Sequence, residues 1–405
     1  MAVLKMAFRN IFRQRRRSLF TGLSILGAFA LAVIFIGWAD GSYNNIIDQF
    51  TRTRLGHIQI HRQGYLDRPS LEKSFAGVAA VGAMLDRTRG VESWTARVFS
   101  AGLAGAGDTS AGARIIGLDP EREARTTRFD RTIVQGRAFS GPRAQETILG
   151  RGLADILEAE LGDEIVLLSQ GADGSIAEDL FRLVGVASSG NDLADRTALY
   201  LPLETAQEYL VLGDKVHEIA AVVSSLGRVR AVSRALAGEL EGRGLAVEPW
   251  QVFARSFYQA MKADKAGMWA ILLVIVVIVA VGVLNTVLMS VLERRREYGL
   301  LKALGTRPGR VVRLVVLEVL ILSLLAMIAG SAIGLGANLV LSRHGIRFST
   351  GLTYGGMVFD TMRSEVNLRS FTIPALTVFL SALLVSLFPA LKASRTDPAR
   401  TMRMH

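Results

Sequence analysis

The residues that could carry out chemistry in this chain are few, and their spacing argues against a catalytic site. His57 and His61 are two of five histidines, and on an alternating strand they would lie about 13 Å apart, too far to share one metal ion. We therefore interpret them as part of an exposed strand face. The chain has neither the phosphate-binding spacing G-x-x-x-x-G-K-[ST] nor a G-x-S-x-G turn. We expect a non-catalytic chain that holds no metal or cofactor and does not hydrolyse ATP by itself.

Two polar side chains in otherwise apolar segments are the remaining candidates for chemistry. Glu318 lies near the start of an apolar segment, a little more than one helical turn from Arg313, which predicts an ion pair at the membrane interface. Asn285 predicts a hydrogen bond between helices. Neither pattern indicates catalysis inside a membrane.

Four long uncharged stretches dominate the chain, one near the N-terminus and three in the last third. Each is long enough for a helix to cross the roughly 30 Å of hydrocarbon in a bilayer. The first is longer than the apolar core of a signal peptide and ends in a poor cleavage site, so we expect it to be retained. The stretches are Ser18–Ala39, Ala266–Leu292, Val319–Ser342 and Ser370–Leu391. The sequence therefore predicts an integral membrane protein.

Basic residues are concentrated before the first stretch, between the second and third, and after the fourth. The net charge of these three segments together is more positive than that of the whole chain, which is +11. The rest of the chain is therefore slightly acidic. This is the positive-inside pattern and not a nucleic-acid-binding patch. It predicts that both termini are cytoplasmic and that the long region between the first and second helices is outside.

These spans and charges predict four transmembrane α-helices in a 1+3 layout, with a large mixed α/β extracytoplasmic domain between helices 1 and 2. The chain divides into nine segments. They are a cytoplasmic amphipathic helix (1–17), transmembrane helix 1 with an extracytoplasmic extension (18–50), the extracytoplasmic α/β domain (51–262), transmembrane helix 2 (263–293), a cytoplasmic loop with a short helix (294–310), transmembrane helix 3 (311–342), an extracytoplasmic loop (343–369), transmembrane helix 4 (370–392) and a cytoplasmic tail (393–405).

The extracytoplasmic region alternates strand and helix signals. Alternation with period two predicts strands, and apolar residues three or four apart predict helices. The predicted strands are 55–61, 94–103, 114–118, 164–169, 180–187, 218–224 and 245–248, and the predicted helices are 71–89, 152–161, 203–212 and 229–240.

Two patterns indicate how the other helices pack. Gly330 and Gly334 are four residues apart, the spacing that allows close approach of another helix. In the first 17 residues an apolar stripe opposes a basic face, which predicts an amphipathic helix in the lipid headgroup layer. The stripe consists of Leu4, Phe8, Ile11 and Phe12.

The cytoplasmic loop from Glu293 to Gly309 has the most specific pattern in the chain. Residues 296–304 favour a helix, Gly305 can cap it in the left-handed conformation, and Pro308 cannot continue it. The helix would carry an apolar ridge that needs a cover. The alternative is a basic connector that lies on lipid. The ridge consists of Leu300, Leu301 and Leu304.

At this loop the sequence resembles the permeases of the MacB/FtsX/LolC-LolE superfamily of ABC transporters, the mechanotransmission permeases. Their motif R-x-x-E-x-G-x-L-[RK]-A-[IL]-G begins here at Arg294, whereas Tyr298 and Thr306 depart from the usual residues. The tail 389–399 and the outer stretch 148–163 also resemble family segments. The resemblance assigns coupling to a partner ATPase to Glu297, Gly299, Leu300, Leu301, Lys302, Ala303, Leu304 and Gly305.

The resemblance implies an assembly in which the chain is one subunit. Two permease chains, identical or different, would bind a cytoplasmic dimer of ABC ATPases, which hold the ATP and Mg²⁺. The assembly would lie in the bacterial inner membrane with the large domain in the periplasm, where it would meet a chaperone or an adaptor. Chain length and the stretch 148–163 favour the LolC/LolE type, which extracts lipoproteins from the inner membrane. Export of a peptide, drug or other amphiphile by a MacB-like permease, and a receptor or adhesin with four anchoring helices, are the alternatives.

A cargo cavity is predicted between the outer ends of the first two spans. Aromatic and methionine side chains there suit an apolar tail of variable shape, and they would equally form an interfacial aromatic belt. The residues are Trp38, Tyr43, Phe257, Met261 and Met268.

Overall fold

The computed structural model describes residues 2–13, 15–354 and 357–395, and it divides into two compact units. The membrane unit comprises the described residues of 1–43, 261–348 and 361–405. The outer unit comprises those of 44–260 and 349–360.

Thirteen α-helices occur in the described ranges. They are α1 (Ala2–Arg13), α2 (Arg15–Phe50), α3 (Val78–Arg87), α4 (Pro120–Thr126), α5 (Arg151–Leu157), α6 (Asp192–Asp195), α7 (Leu203–Tyr209), α8 (Val229–Glu239), α9 (Trp250–Phe253), α10 (Arg255–Glu293), α11 (Arg295–Ala303), α12 (Pro308–His344) and α13 (Leu368–Ser394). A five-residue π-helix, Thr51–Leu55, follows α2.

Four helices are long and apolar enough to cross a membrane, in agreement with the predicted layout. They start near the predicted spans but run further, to lengths of 38, 39, 37 and 27 residues including the π-helix after α2. The third begins at Pro308. Proline suits the first turn of a helix, because the N–H groups there have no partner within the helix and proline has no N–H. They are Ser18–Leu55, Arg255–Glu293, Pro308–His344 and Leu368–Ser394.

The core of the membrane unit lies where α2, α10, α12 and α13 meet. Phe29 of α2, Val319 of α12 and Val378 of α13 are all buried in one cluster. Gly330 and Gly334 permit this packing: a Cβ on Gly334 would lie 2.7 Å from Val33 Cγ1, and one on Gly330 would lie 2.9 Å from Phe29 Cδ1. The sequence prediction of a close helix contact at these glycines is confirmed.

The N-terminal helix ends at Arg13 and does not bury the whole predicted stripe. Ala7 and Ile11 are buried, and the helix packs on α12. Phe8 and Phe12, at 51% and 53% exposure, stack on each other instead. α12 covers the Ala7 and Ile11 side of the helix and leaves the two phenylalanines exposed, and their predicted position in the lipid headgroup layer stays a prediction. The side chain of Leu4 lies outside the described residues.

The outer unit is built on one ten-stranded sheet in the order β10-β1-β9-β2-β3-β8-β5-β7-β4, with β6 paired to β2 and β7. Its pairs are antiparallel except β3 with β8 and β5 with β7. The strands are β1 (Ile58–Arg62), β2 (Val91–Ala106), β3 (Thr109–Leu118), β4 (Ile133–Gly136), β5 (Glu146–Gly150), β6 (Glu164–Gln170), β7 (Ile176–Ala187), β8 (Ala198–Pro202), β9 (Glu218–Val223) and β10 (Leu245–Pro249). The mixed α/β class predicted from the sequence is confirmed.

The helix predicted over 71–89 is interrupted. Leu71–Lys73 is a short 3-10 turn, and α3 begins only at Val78. Between them Phe75 exchanges two backbone hydrogen bonds with Val216, at 2.8 and 2.9 Å, so this part of the chain is extended. The sequence also missed α4, α6, β4, β5, β8 and a two-stranded sheet, β11 (Ile346–Tyr354) with β12 (Met357–Met362).

His57, which directly precedes β1, and His61 in β1 are buried, contrary to the exposed strand face that we predict from the sequence. Both are 1% exposed, because β1 lies between β10 and β9 inside the sheet. His57 Nδ1 accepts a hydrogen bond from the Val223 N–H at 3.0 Å, and His61 Nε2 lies 3.3 Å from Glu218 Oε2. Each histidine is therefore held by a partner inside the protein.

Candidate functional site

The short cytoplasmic helix predicted from the motif is α11. It runs over Arg295–Ala303, within a residue of the prediction. Gly305 ends it with φ at +87°, a conformation that glycine adopts without strain. The N–H of Thr306 then donates to the Leu301 carbonyl at 3.0 Å, which closes the turn before α12 begins. Glycine and proline therefore separate α11 from α12 as expected.

The faces of α11 differ in their surroundings. Tyr298 is 1% exposed, and Leu301 packs against the core of the membrane unit. Leu300 is 55% exposed and Leu304 is 76% exposed. The predicted ridge of three leucines was wrong in one member, because Leu301 faces the helix bundle. The exposed apolar surface, which we call the α11 patch, consists of Leu300, Ala303 and Leu304.

Ionic contacts hold the start of α11 to the bundle. Arg294 Nη1 donates to both carboxylate oxygens of Glu318, at 3.0 and 2.9 Å, and Arg294 Nε donates to Glu297 Oε2 at 2.8 Å. Asn10 Nδ2 of α1 also donates to Glu318 Oε1, at 2.6 Å. Burial alone would lower the pKa of Arg294, but the charge of Glu318, together with Tyr298 and the hydrogen bonds to Glu297 and Glu318, outweighs burial, and the pKa lies above its usual value. Asn10 of α1, Arg294 and Glu297 at the start of α11, and Glu318 of α12 therefore form one polar cluster.

The ion pair of Glu318 differs from the prediction in its partner. The sequence predicts a pair with Arg313, which precedes Glu318 on α12. In the structure the partner of Glu318 is Arg294, which lies directly before α11. Asn10 was missed altogether, because nothing in its local pattern indicates a contact with a residue 308 positions away. The motif itself includes Arg294 and Glu297, so it marks two of the four members.

A second anchor lies at the C-terminal end of α11. Lys302 Nζ donates to the Ser394 carbonyl at 2.9 Å, at the end of α13. Glu297 keeps 46% of its side chain exposed although it binds Arg294. Gly299 is buried, and Gly305 is exposed. The eight predicted coupling residues therefore divide into those that fix α11 to the bundle and those that present a free surface.

The five residues predicted to line a cargo cavity fall in both units. Phe257 belongs to the outer unit, where its ring stacks on Phe50 with centroids 3.8 Å apart. In the membrane unit, Met261 and Met268 are 2% and 8% exposed, and Lys265 Nζ lies 5.2 Å from the ring centroid of Tyr43. Trp38 is half-buried. Phe257 and the two methionines are each buried, and the cavity stays a prediction.

Inside the outer unit, a charged network lies in the sheet. Arg97 of β2 donates to Glu123 Oε1 at 2.5 Å and to Glu218 Oε1 at 2.9 Å. Glu123 also accepts from Thr127. Burial would raise the pKa of Glu218, but the hydrogen bond from His61 and the charge of Arg97 outweigh it and lower that pKa. No local sequence pattern marks this network, because its members are far apart in the chain and meet only in the folded outer unit.

Comparison with known proteins identifies the two parts of the chain separately. Residues 18–239 match the model of the MacB-like periplasmic core domain, and residues 269–398 match that of the FtsX-like permease C-terminal domain. The first match covers more than half of the 405 residues. Residues 240–268, which include the start of the second membrane helix, lie between the two matches.

The curated relatives are permeases. The chain is 23% identical over 313 residues to the lipoprotein-releasing system transmembrane protein LolC of Neisseria meningitidis, covering 74% of this chain and 75% of that protein. It is 22% identical to LolE of Haemophilus influenzae, covering 64% of each. It is also 21% identical to the macrolide export ATP-binding/permease protein MacB of Wolinella succinogenes, covering 98% of this chain and 59% of that protein.

One solved structure in the comparison is the periplasmic region of MacB from Actinobacillus actinomycetemcomitans. It is 18% identical, with a TM-score of 0.38, and the match covers 53% of this chain and 98% of that one.

Proposed function

This chain belongs to the MacB/FtsX/LolC-LolE superfamily of ABC transporter permeases, and we propose that it couples ATP hydrolysis on a separate ATPase to movement of its outer domain. The chain itself is the non-catalytic membrane subunit. It is a multi-pass membrane protein. We place it in the inner membrane of a bacterium, with the MacB-like domain in the periplasm.

The observation that carries this proposal is the α11 patch on a helix anchored at both ends. Leu300 and Leu304 are exposed, yet Arg294 and Lys302 fix the same helix to α12 and α13. An exposed apolar surface on a rigid support is typical of a protein contact. Force applied to the patch by a partner would reach α12 through the ion pair of Arg294 with Glu318.

The partner that fits the patch is a cytoplasmic ABC ATPase. It would bind the ATP and Mg²⁺ that this chain is not expected to hold, and its closure on nucleotide would displace α11. ABC ATPases act as pairs, so we propose two permease chains, of one or two kinds, on an ATPase dimer. Alternation between two positions of α11 is the switch that this arrangement requires.

Release of lipoproteins from the inner membrane is the cargo function that we favour. Its support is the similarity to LolC and LolE, which extends over three-quarters of the LolC chain. An acyl chain would enter beside Trp38, Tyr43, Phe257, Met261 and Met268, and a periplasmic chaperone would accept the released protein. Aromatic and methionine side chains adapt to flexible apolar groups, which suits acyl chains of different proteins.

Export of a peptide, drug or other amphiphile is the second candidate. The specific observation in its favour is the match to MacB over 98% of this chain. In that case an adaptor and an outer-membrane channel would replace the chaperone. Both candidates use the same coupling through α11, so the cargo is a separate question.

A pull-down tests the coupling. The doubly substituted chain, Leu300→Asp with Leu304→Asp, should lose the ATP hydrolysis that co-purifies with the wild-type chain from native membranes in mild detergent. The matched control is Leu368→Asp, which places the same charge on a leucine that is 79% exposed at the other end of α13. Retained ATP hydrolysis in the double variant, or equal loss in the control, would contradict docking at the α11 patch.

Depletion of the protein in cells tests the cargo. If the chain releases lipoproteins, they should accumulate in the inner membrane on depletion. Normal lipoprotein sorting together with raised sensitivity to peptides or macrolides would favour the export candidate instead.

A further inference from the structure

The outer unit contains an open cleft beside its buried charged network. The cleft has a volume of about 680 Å³, within the range of sites for small ligands. A smaller cavity of about 110 Å³ continues from it, and Phe99, Arg114 and Glu218 line both. The π-helix after α2 and the strands β1, β2, β3 and β9 supply these walls.

The carboxylates at the floor of this cleft are already engaged. Glu123 and Glu218 bind Arg97, and Glu218 also binds His61. Asp195, which lies nearby, accepts from the N–H of Ser189 at 2.9 Å. These acids therefore have little capacity to pair with further cations.

Two arginines that line the cleft have no such partner. Among the described residues, no carboxylate lies within ion-pair distance of Arg54 or Arg114. Arg54 is half-buried in the π-helix and lines the smaller cavity. Arg114 projects from β3 with its guanidinium carbon 5.0 Å from the centroid of the Phe99 ring. The guanidinium of Arg54 is partly desolvated and has no carboxylate partner, which favours an anionic ligand that can supply an acceptor, and the exposed Arg114 adds a second positive charge to the lining.

The rest of the lining combines polar side chains with an apolar part. Tyr65, Leu66 and Phe253 face the larger cleft, and Phe129 lines the smaller cavity. Aromatic and aliphatic walls beside two guanidinium groups match a molecule with an apolar part and one anionic group. A purely polar anion would leave the apolar walls in contact with water, and a neutral apolar molecule would leave the half-buried Arg54 without an acceptor.

We propose that this cleft binds an anionic amphiphile, with its phosphate or carboxylate on Arg54 and Arg114 and its apolar part along Tyr65, Leu66 and Phe253. The site lies wholly within the outer unit. It stands whether or not the chain couples to an ATPase, and it is separate from the cargo residues predicted near the membrane.

Octyl phosphate is the probe for calorimetric titration of the full chain in lipid nanodiscs. Empty nanodiscs give the partitioning into lipid, which is subtracted. The chain should show one saturable site. The double variant Arg54→Gln with Arg114→Gln should bind about tenfold more weakly or worse, because it loses charge-assisted hydrogen bonds. The control Arg230→Gln removes an exposed arginine of α8 and should leave the affinity unchanged.

Comparison ligands separate the two parts of the site. Inorganic phosphate and octyl glucoside should each bind more weakly than octyl phosphate. Equal binding of inorganic phosphate would show that the apolar walls contribute nothing, and equal binding of octyl glucoside would show the same for the arginines; either result overturns the proposal. So does unchanged affinity in the double variant. If the double variant fails to fold, the single variant Arg114→Gln, whose side chain is exposed, gives the same test.

Discussion

Replacing Glu318 with alanine should destabilise the membrane unit far more than replacing Glu297 with alanine, although both carboxylates bind Arg294. The two differ in burial. The side chain of Glu318 is 15% exposed and that of Glu297 is 46% exposed, whereas that of Arg294 is 7% exposed. Removal of Glu318 leaves the buried guanidinium with one carboxylate partner, the solvent-exposed Glu297, and it also removes the acceptor of Asn10.

The structure sets the size of each effect. Breaking a buried ion pair from one side costs about 3–5 kcal/mol, and partial exposure of Glu318 reduces this to roughly 2–3 kcal/mol. Loss of the exposed Glu297 should cost at most about 1 kcal/mol. In the double variant Arg294→Met with Glu318→Leu neither buried charge of the pair remains, and Glu297, which loses its partner, is solvent-exposed. The double variant should therefore be more stable than either Glu318→Ala or Arg294→Met alone.

An engineered thiol provides the assay. The chain has no cysteine, and Ser323 of α12 is fully buried with a hydroxyl that has no hydrogen-bond partner among the described residues. Ser323→Cys should therefore disturb little and become reactive only when the bundle opens. Thiol labelling across a sodium dodecyl sulfate titration then gives the free energy of unfolding for each variant. Equal losses for Glu318→Ala and Glu297→Ala, or strictly additive losses in the double variant, would refute the reasoning.

Three further predictions concern single positions. Gly334→Ala should destabilise the membrane unit by about 1–3 kcal/mol, because its Cβ would lie 2.7 Å from Val33 Cγ1, whereas Gly336→Ala meets nothing within 4 Å and should not; the same thiol assay distinguishes them. Leu301→Asp should lower the unfolding free energy, and Leu300→Asp on the exposed face should leave it nearly unchanged. Burial lowers the pKa of His217, which in the fold accepts from the Phe99 N–H and contacts the Leu71 carbonyl. An unfolded histidine gains a proton near pH 6.5 while the folded one stays neutral, so the outer unit should lose stability as pH falls through about 6.5, and His217→Asn should flatten that dependence in tryptophan-monitored unfolding.

The membrane helices and most strands were predictable because their signals are local. An uncharged run long enough to cross a bilayer leaves little choice of structure, and β6, β7 and β9 have the alternation or apolar run of a strand. Interruptions of predicted elements and very short elements were harder to predict from the sequence. The pairing of Phe75 with Val216 ends a helix-like pattern through a contact 141 residues away in sequence, and short elements such as β4 and α6 have too few residues for a period.

The candidate sites divide in the same way. The C-terminal end of α11 follows from Gly305 and Pro308, and the family motif includes Arg294 at its start. The direction of Leu301 does not follow, because a leucine on a short helix faces the bundle or the solvent according to where the neighbouring helices lie. Arg54 and Arg114 belong to segments 60 residues apart, and only the sheet brings them to one cleft. Sequence patterns identify elements, whereas burial and pairing depend on the tertiary structure.

The central claim is that nucleotide on the partner ATPase moves the outer domain through α11. The most direct measurement is the distance between spin labels on Asp108→Cys, an exposed residue in the β2–β3 turn, in the two permease chains of the purified complex in nanodiscs. Trapping the ATPase with ATP and vanadate should shift the distance distribution, and Leu300→Asp with Leu304→Asp should abolish that shift. An unchanged distribution on trapping in the wild-type complex would contradict the account.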